Sequence, residues 1–130
     1  MEIPKDLKYA KTHEWVRVEG EVAYVGISDY AQEELGDIVY VEMPAAGDSY
    51  DKGEEAATVE SVKAASAIYT PVAGTVEKIN PELEGTPELI NQQPYQAFIF
   101  AIRFSDASGL DQLLDAESYQ KHVEQEKASH

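Results

Sequence analysis

One stretch of the chain, Glu60-Ser61-Val62-Lys63-Ala64-Ala65-Ser66-Ala67, sets a reactive side chain where chemistry could reach it. A single lysine lies among small residues, between segments 56–59 and 68–72, which read as strands beside turn signals. Such a lysine is held out on a hairpin tip, with nothing bulky to hinder an enzyme that modifies it. The competing reading is a solvated turn lysine, because lysines are mostly exposed in any protein. No other constellation rivals it. His13, His122 and His130 are far apart, and none of their spacings resembles a zinc motif, so no metal site is expected. His13 is expected to be partly buried beside Trp15. The serines lack a Gly-x-Ser-x-Gly elbow, and Gly47 and Gly53 sit in acidic company that repels phosphate. With no cysteine there is no disulfide, thiolate site or thiol nucleophile. No acid–base pair can be picked from 25 acidic residues, so nothing identifies a self-sufficient enzyme.

The bulk properties narrow the possibilities further. A chain of 130 residues, 43% hydrophobic, fits one domain, with a core over about residues 7–124 and a polar, frayed tail over 125–130. The net charge of −15 is spread along the chain and disfavours nucleic acid and anionic membranes, both of which need a basic surface. It suits transient partners with basic patches. No apolar run approaches membrane-spanning length, and the first residues show no signal or transit pattern, so a cytoplasmic protein is expected.

The elements that must hold Lys63 follow from pattern. Residues 14–27 read as an antiparallel hairpin turning at Glu19-Gly20. Ser28 caps a short helix that stops at Gly36, and residues 37–43 form the next strand. Asn80-Pro81 and Thr86-Pro87 each start a helical turn. The apolar run 97–104 reads as a core strand with Phe98, Phe100, Ile102 and Phe104 on one face. Leu110, Leu113 and Leu114 recur at helical spacing, and Asp115 caps a second series containing Tyr119 and Val123. Six or more short strands with brief helices predict a mainly β sandwich or barrel.

Several motifs, in order and nearly end to end, resemble the H-protein family of the glycine cleavage system. They are Tyr9 with Thr12-His13-Glu14-Trp15-Val16; Val25-Gly26-Ile27-Ser28-Asp29-Tyr30-Ala31-Gln32 with Leu35-Gly36-Asp37-Ile38-Val39; and Glu60-Ser61-Val62-Lys63-Ala64-Ala65-Ser66. Tyr69, Pro71, Val72, Gly74, Val76, Pro87-Glu88-Leu89-Ile90-Asn91 and Pro94-Tyr95 continue the pattern. The resemblance implies a barrel-sandwich hybrid of two antiparallel sheets with peripheral helices and a C-terminal helix. It also implies lipoate in amide linkage to Lys63, with Glu60 as the acid that lipoyl-attaching enzymes read. The arm would reach on the order of 14 Å. The family's arm takes an aminomethyl group from the pyridoxal-phosphate glycine decarboxylase and delivers it to the tetrahydrofolate-dependent aminomethyltransferase. Dihydrolipoyl dehydrogenase then reoxidises the arm, and the carrier, expected to be a monomer, catalyses none of these steps. A cleft shelters the loaded arm from water, and Thr12 and Glu14 match the positions that hold its amine.

Two departures stand out. Ala67 occupies a position where many members have an Asp that helps hold the amine. After Tyr95, Gln96-Ala97-Phe98 replaces the usual Gly-Trp pair, and Phe98 fills volume without an indole donor. They motivate an alternative, an H-like lipoyl carrier that relays lipoyl or octanoyl groups. A biotin carrier usually has Met on both sides of its lysine, where this chain has Val62 and Ala64. An unmodified binding module is the remaining reading.

Overall fold

The computed structural model describes residues 1–129. The expected hairpin forms as β2 (Glu14–Glu19) and β3 (Val22–Ile27), turning at Gly20, whose φ of 62° suits a residue without a Cβ. β3 pairs on its other side with β9 (Phe100–Arg103), and β9 pairs with β8 (Gly74–Ile79). Short strands β1 (Lys8–Tyr9) and β5 (Ser49–Tyr50) complete a six-stranded antiparallel sheet. The second sheet is also antiparallel, with β6 (Glu55–Ser61) between β4 (Ile38–Glu42) and β7 (Ala65–Tyr69). The mainly β, two-sheet architecture is therefore as expected.

One core joins the sheets. Val25 and Ile27 of the larger sheet share it with Val41, Val59 and Ile68 of the smaller one and with Phe100 and Ile102. Each such buried side chain stabilises the fold by roughly 1.5–3 kcal/mol before ordering costs. A second, aromatic cluster gathers Leu7, Tyr9, Trp15, Tyr30, Tyr119 and Val123. Trp15 fits there because its cross-strand partner is Gly26: a Cβ at that position would lie 2.6 Å from the indole.

The caps mostly follow the sequence signals. Ser28 Oγ accepts from Ala31 N at 3.2 Å to start α1 (Asp29–Leu35), which Gly36 ends at φ 80°. Asn80 Oδ1 accepts from Glu82 N before α2 (Glu82–Gly85). The Asp115 carboxylate accepts from Ser118 N at 2.8 Å and starts α4 (Ala116–Ala128), which packs through Tyr119 and Val123.

Elsewhere the structure departs from the pattern, through local backbone turns at Thr86 and at Ala97-Phe98 and through a long-range pairing at Leu114. At Thr86 no side chain caps α3 (Leu89–Gln92); the Thr86 and Pro87 carbonyls accept from Leu89 and Ile90 instead. The strand in 97–104 is only Phe100–Arg103, because Ala97 N and Phe98 N bond to nearby carbonyls of Gln93 and Gln96. Phe98 thereby leaves the face of Phe100, Ile102 and Phe104 and meets Tyr24 edge-on at 5.1 Å. The leucine series is not one helix: a 3-10 helix spans Ala107–Gln112, and Leu114 then exchanges both backbone bonds with Tyr9. The tail expected to fray continues α4 to Ala128, while His130 lies outside the described residues. No helix among the described residues is long and apolar enough to cross a membrane.

Candidate functional site

Lys63 stands at the tip joining β6 and β7, and the tip is tighter than the sequence pattern indicated. Strand pairing runs up to Glu60↔Ala65, so β7 begins two residues after the lysine and segment 70–72 lies beyond it. Ser61 pins the turn. Its amide donates to Ala64 O at 2.7 Å, and its Oγ accepts from Lys63 N and Ala64 N at 3.2 and 3.1 Å. Val62 N donates to Asp37 O at 3.0 Å, tying the tip to the start of β4. Val62, Lys63, Ala64 and Ala65 are all exposed, and the lysine stem passes over Gly36 at the end of α1, where an added Cβ would meet only Lys63 Cε at 3.6 Å. Glu60 is exposed on β6, opposite Ala65 and Tyr40.

The structure also brings Thr12 and Glu14 together, against the far end of β7. The Thr12 hydroxyl donates to one Glu14 carboxylate oxygen, and the other accepts from Tyr69 N at 3.1 Å. Glu14 is only 1% exposed. Burial pushes its carboxyl above the usual carboxylate range, and the bonds from Thr12 and Tyr69 only partly oppose this. β7 thus links the two places, with Ala65 beside the lysine and Tyr69 at Glu14. Along it, Ser66 and Ile68 line a cleft of about 300 Å³ with Thr12, Ile27, Ala31 and Leu35. Thr12 also borders a second opening of about 400 Å³, which Glu14, Tyr69 and Leu113 line.

The departures from the family pattern also find their places. Ala67 is half-buried on β7 and offers no acceptor. Around the altered segment, Trp15 Nε1 donates to Pro94 O at 2.8 Å, and the Tyr95 hydroxyl donates to Glu2 O and accepts from Asp29 N.

Sequence spacing missed one assembly. His13 is partly buried as expected, but its neighbours are Tyr30, Tyr119 and His122, and both histidines converge on Glu126. The four-residue spacing of His122 and Glu126 was its one local signal, since it places both on the same helix face.

A two-sheet β domain that fixes one exposed lysine on a pinned tip beside a cleft is a lysine-presenting domain of the barrel-sandwich type. The family model described as Glycine cleavage H-protein matches residues 7–126, and the chain belongs to that family. It is 56% identical over 127 residues to a glycine cleavage system H protein of Thermus thermophilus, covering 97% of this chain and 99% of that one. A protein of the same name from Syntrophomonas wolfei is 53% identical over 127 residues, with 98% of each chain covered. Among solved structures, a glycine cleavage system H protein from Mycobacterium marinum superposes with a TM-score of 0.84 at 30% identity, covering 92% of this chain and 97% of that one.

Proposed function

We propose that the protein is the lipoate-bearing carrier of a glycine cleavage system, with Lys63 as the attachment point. The observation that carries this reading is the exposed lysine on a turn fixed by Ser61, with small neighbours and an adjoining cleft. Lipoate in amide linkage supplies a dithiolane that accepts the aminomethyl fragment of glycine and passes it on.

The residues fit that group. The tip holds the Lys63 backbone still while leaving its amine open to lipoyl-attaching enzymes, and Glu60 offers them an exposed carboxylate three residues earlier. Ile27, Ala31, Leu35 and Ile68 give the cleft an apolar stretch against which the acyl chain can lie. Thr12 and Glu14 supply a hydroxyl and a carboxylate that hold a cationic amine. A buried carboxylate that is costly to ionise alone gains most from such a cation, through a charge-assisted hydrogen bond. The carrier's partners are then glycine decarboxylase, the aminomethyltransferase, dihydrolipoyl dehydrogenase and the lipoyl-attaching enzymes, and the chain itself catalyses none of their reactions. Its net charge of −15 suits transient partners that present basic patches.

Reconstitution tests the reading. Lipoylated protein mixed with glycine decarboxylase should support exchange of labelled bicarbonate into glycine. Intact exchange with the unlipoylated chain, or none with the lipoylated one, would overturn the proposal.

A further inference from the structure

Outside the lysine site, two histidines and a carboxylate from distant segments meet. His13 has a φ of 80°, in the left-handed region that residues other than glycine rarely adopt, and among the described residues it is the one non-glycine there. Its amide donates to Ala10 O and its carbonyl accepts from Ser28 N, both at 2.9 Å. Its ring is held as firmly: Nδ1 lies 2.8 Å from the Tyr119 hydroxyl, which lies 2.6 Å from Ser28 Oγ. This directs Nε2 at Glu126 Oε2, 2.9 Å away. His122, one turn earlier on α4, places its Nε2 3.1 Å from Glu126 Oε1. One ligand atom from each of the three residues lies within 4.8 Å of the others.

We propose that His13, His122 and Glu126 form a binding site for one divalent transition-metal ion of the zinc type. Zinc accepts imidazole nitrogen and carboxylate oxygen at about 2.0–2.2 Å and, when tetrahedral, spaces its ligand atoms about 3.4 Å apart. The two rings face different oxygens of the Glu126 carboxylate, at 2.9 and 3.1 Å, so an ion seated between them would need only small side-chain shifts to take both nitrogens and one carboxylate oxygen. Two imidazoles and one carboxylate leave a fourth position for water or another donor.

The surroundings supply what such ligands require. In the metal-free site the His13 Nε2–H donates to Glu126 Oε2 at 2.9 Å; when a metal takes Nε2, the ring proton passes to Nδ1, where the Tyr119 oxygen accepts it while the Tyr119 hydroxyl donates to Ser28. Burial holds the His13 imidazole below its ordinary pKa against the pull of Glu126, which favours the neutral ligand form. His122 Nε2 also contacts Lys11 O at 2.9 Å. Binding exchanges that contact for the metal, with the His122 ring carrying its proton on Nδ1. His13 and Glu126 also line the 300 Å³ cleft, so the ion would border it. The site is independent of the carrier reading, because none of its ligands depends on Lys63.

The test uses the full-length, untagged, unlipoylated chain, titrated with Co²⁺ and then Zn²⁺. The expected result is one Co²⁺ per chain with the intense visible absorption of a tetrahedral site, displaced by one equivalent of Zn²⁺. His122→Ala and Glu126→Gln should each weaken binding at least tenfold, whereas Glu117→Gln, an exposed acid on the same helix, should not. Circular dichroism checks the fold of each variant, and Glu126→Gln decides the matter if His122→Ala fails to fold. Weak octahedral absorption, more than one ion per chain, or equal weakening by Glu117→Gln would instead mean diffuse binding to the acidic surface and would overturn the site.

Discussion

The tip that presents Lys63 and the pocket that holds Glu14 are built in opposite ways. The tip is largely local: Ser61, two positions away, makes the bonds that fix its turn, one bond from Val62 N reaches Asp37 O, and its neighbours are exposed. The Glu14 pocket is non-local: its carboxylate is fully buried and takes a bond from Tyr69, 55 residues away. A local, solvated element can be changed without disturbing the core, and it can enter another protein's cleft. A non-local, buried one depends on the packing of both sheets. Presentation and shelter are therefore separable, and each mutation below should affect one and spare the other.

Lys63→Arg should have the largest effect. Lipoylation should vanish completely, as read by intact mass, while stability changes by no more than about 0.5 kcal/mol, as for other exposed sites. Unfolding of this variant would show that the tip is not independent. Gly26→Ala attacks the other region by driving a Cβ into Trp15, next to Glu14 in β2. Overpacking of this kind costs about 1–3 kcal/mol; urea melts should show that loss, with Lys63 still fully lipoylated by an excess of the attaching enzyme.

Glu14→Gln separates the roles more finely. Lipoylation should be normal, but a loaded amine should be lost to water several times faster, measured as formaldehyde release. The pH dependence of stability should change as well. The folded state keeps the Glu14 proton above the ordinary value of 4.5, so its contribution is full below that pH and is lost as pH rises through the raised folded value. Glu14→Gln should remove this decline, visible as a flatter plot of melting temperature against pH above 4.5. The smallest effect belongs to Ser61→Ala, which frees two amide donors at a solvated turn. It should cost about 0.5–1 kcal/mol and slow lipoylation modestly, as read by melts and a time course of intact mass.

The same contrast explains what could be read from the sequence. The hairpin at Gly20, the Ser28 and Asp115 caps and the lysine tip are governed by neighbours in the chain, and their residue types announce them. Leu114 and Phe98 could not be placed that way. Leu114 has the spacing of a helix, but the edge of β1 offered it two backbone bonds; Phe98 continues an apolar run, but the turns after Gln93 swung it toward Tyr24. Thr12 and Glu14 were legible only through the family's motifs, since nothing in their spacing shows that a strand 55 residues on will cover them. The meeting of His13 with Glu126 is more remote still, across 113 residues and into a segment whose polar composition reads as a loose end.

The central claim is that Lys63 alone, among the chain's lysines, carries the arm. Peptide mapping by mass spectrometry of the protein purified from its own cells tests this most directly. The account predicts a lipoyl group on the peptide containing Lys63 and on no other. An unmodified Lys63, or lipoate on a different lysine, would contradict it.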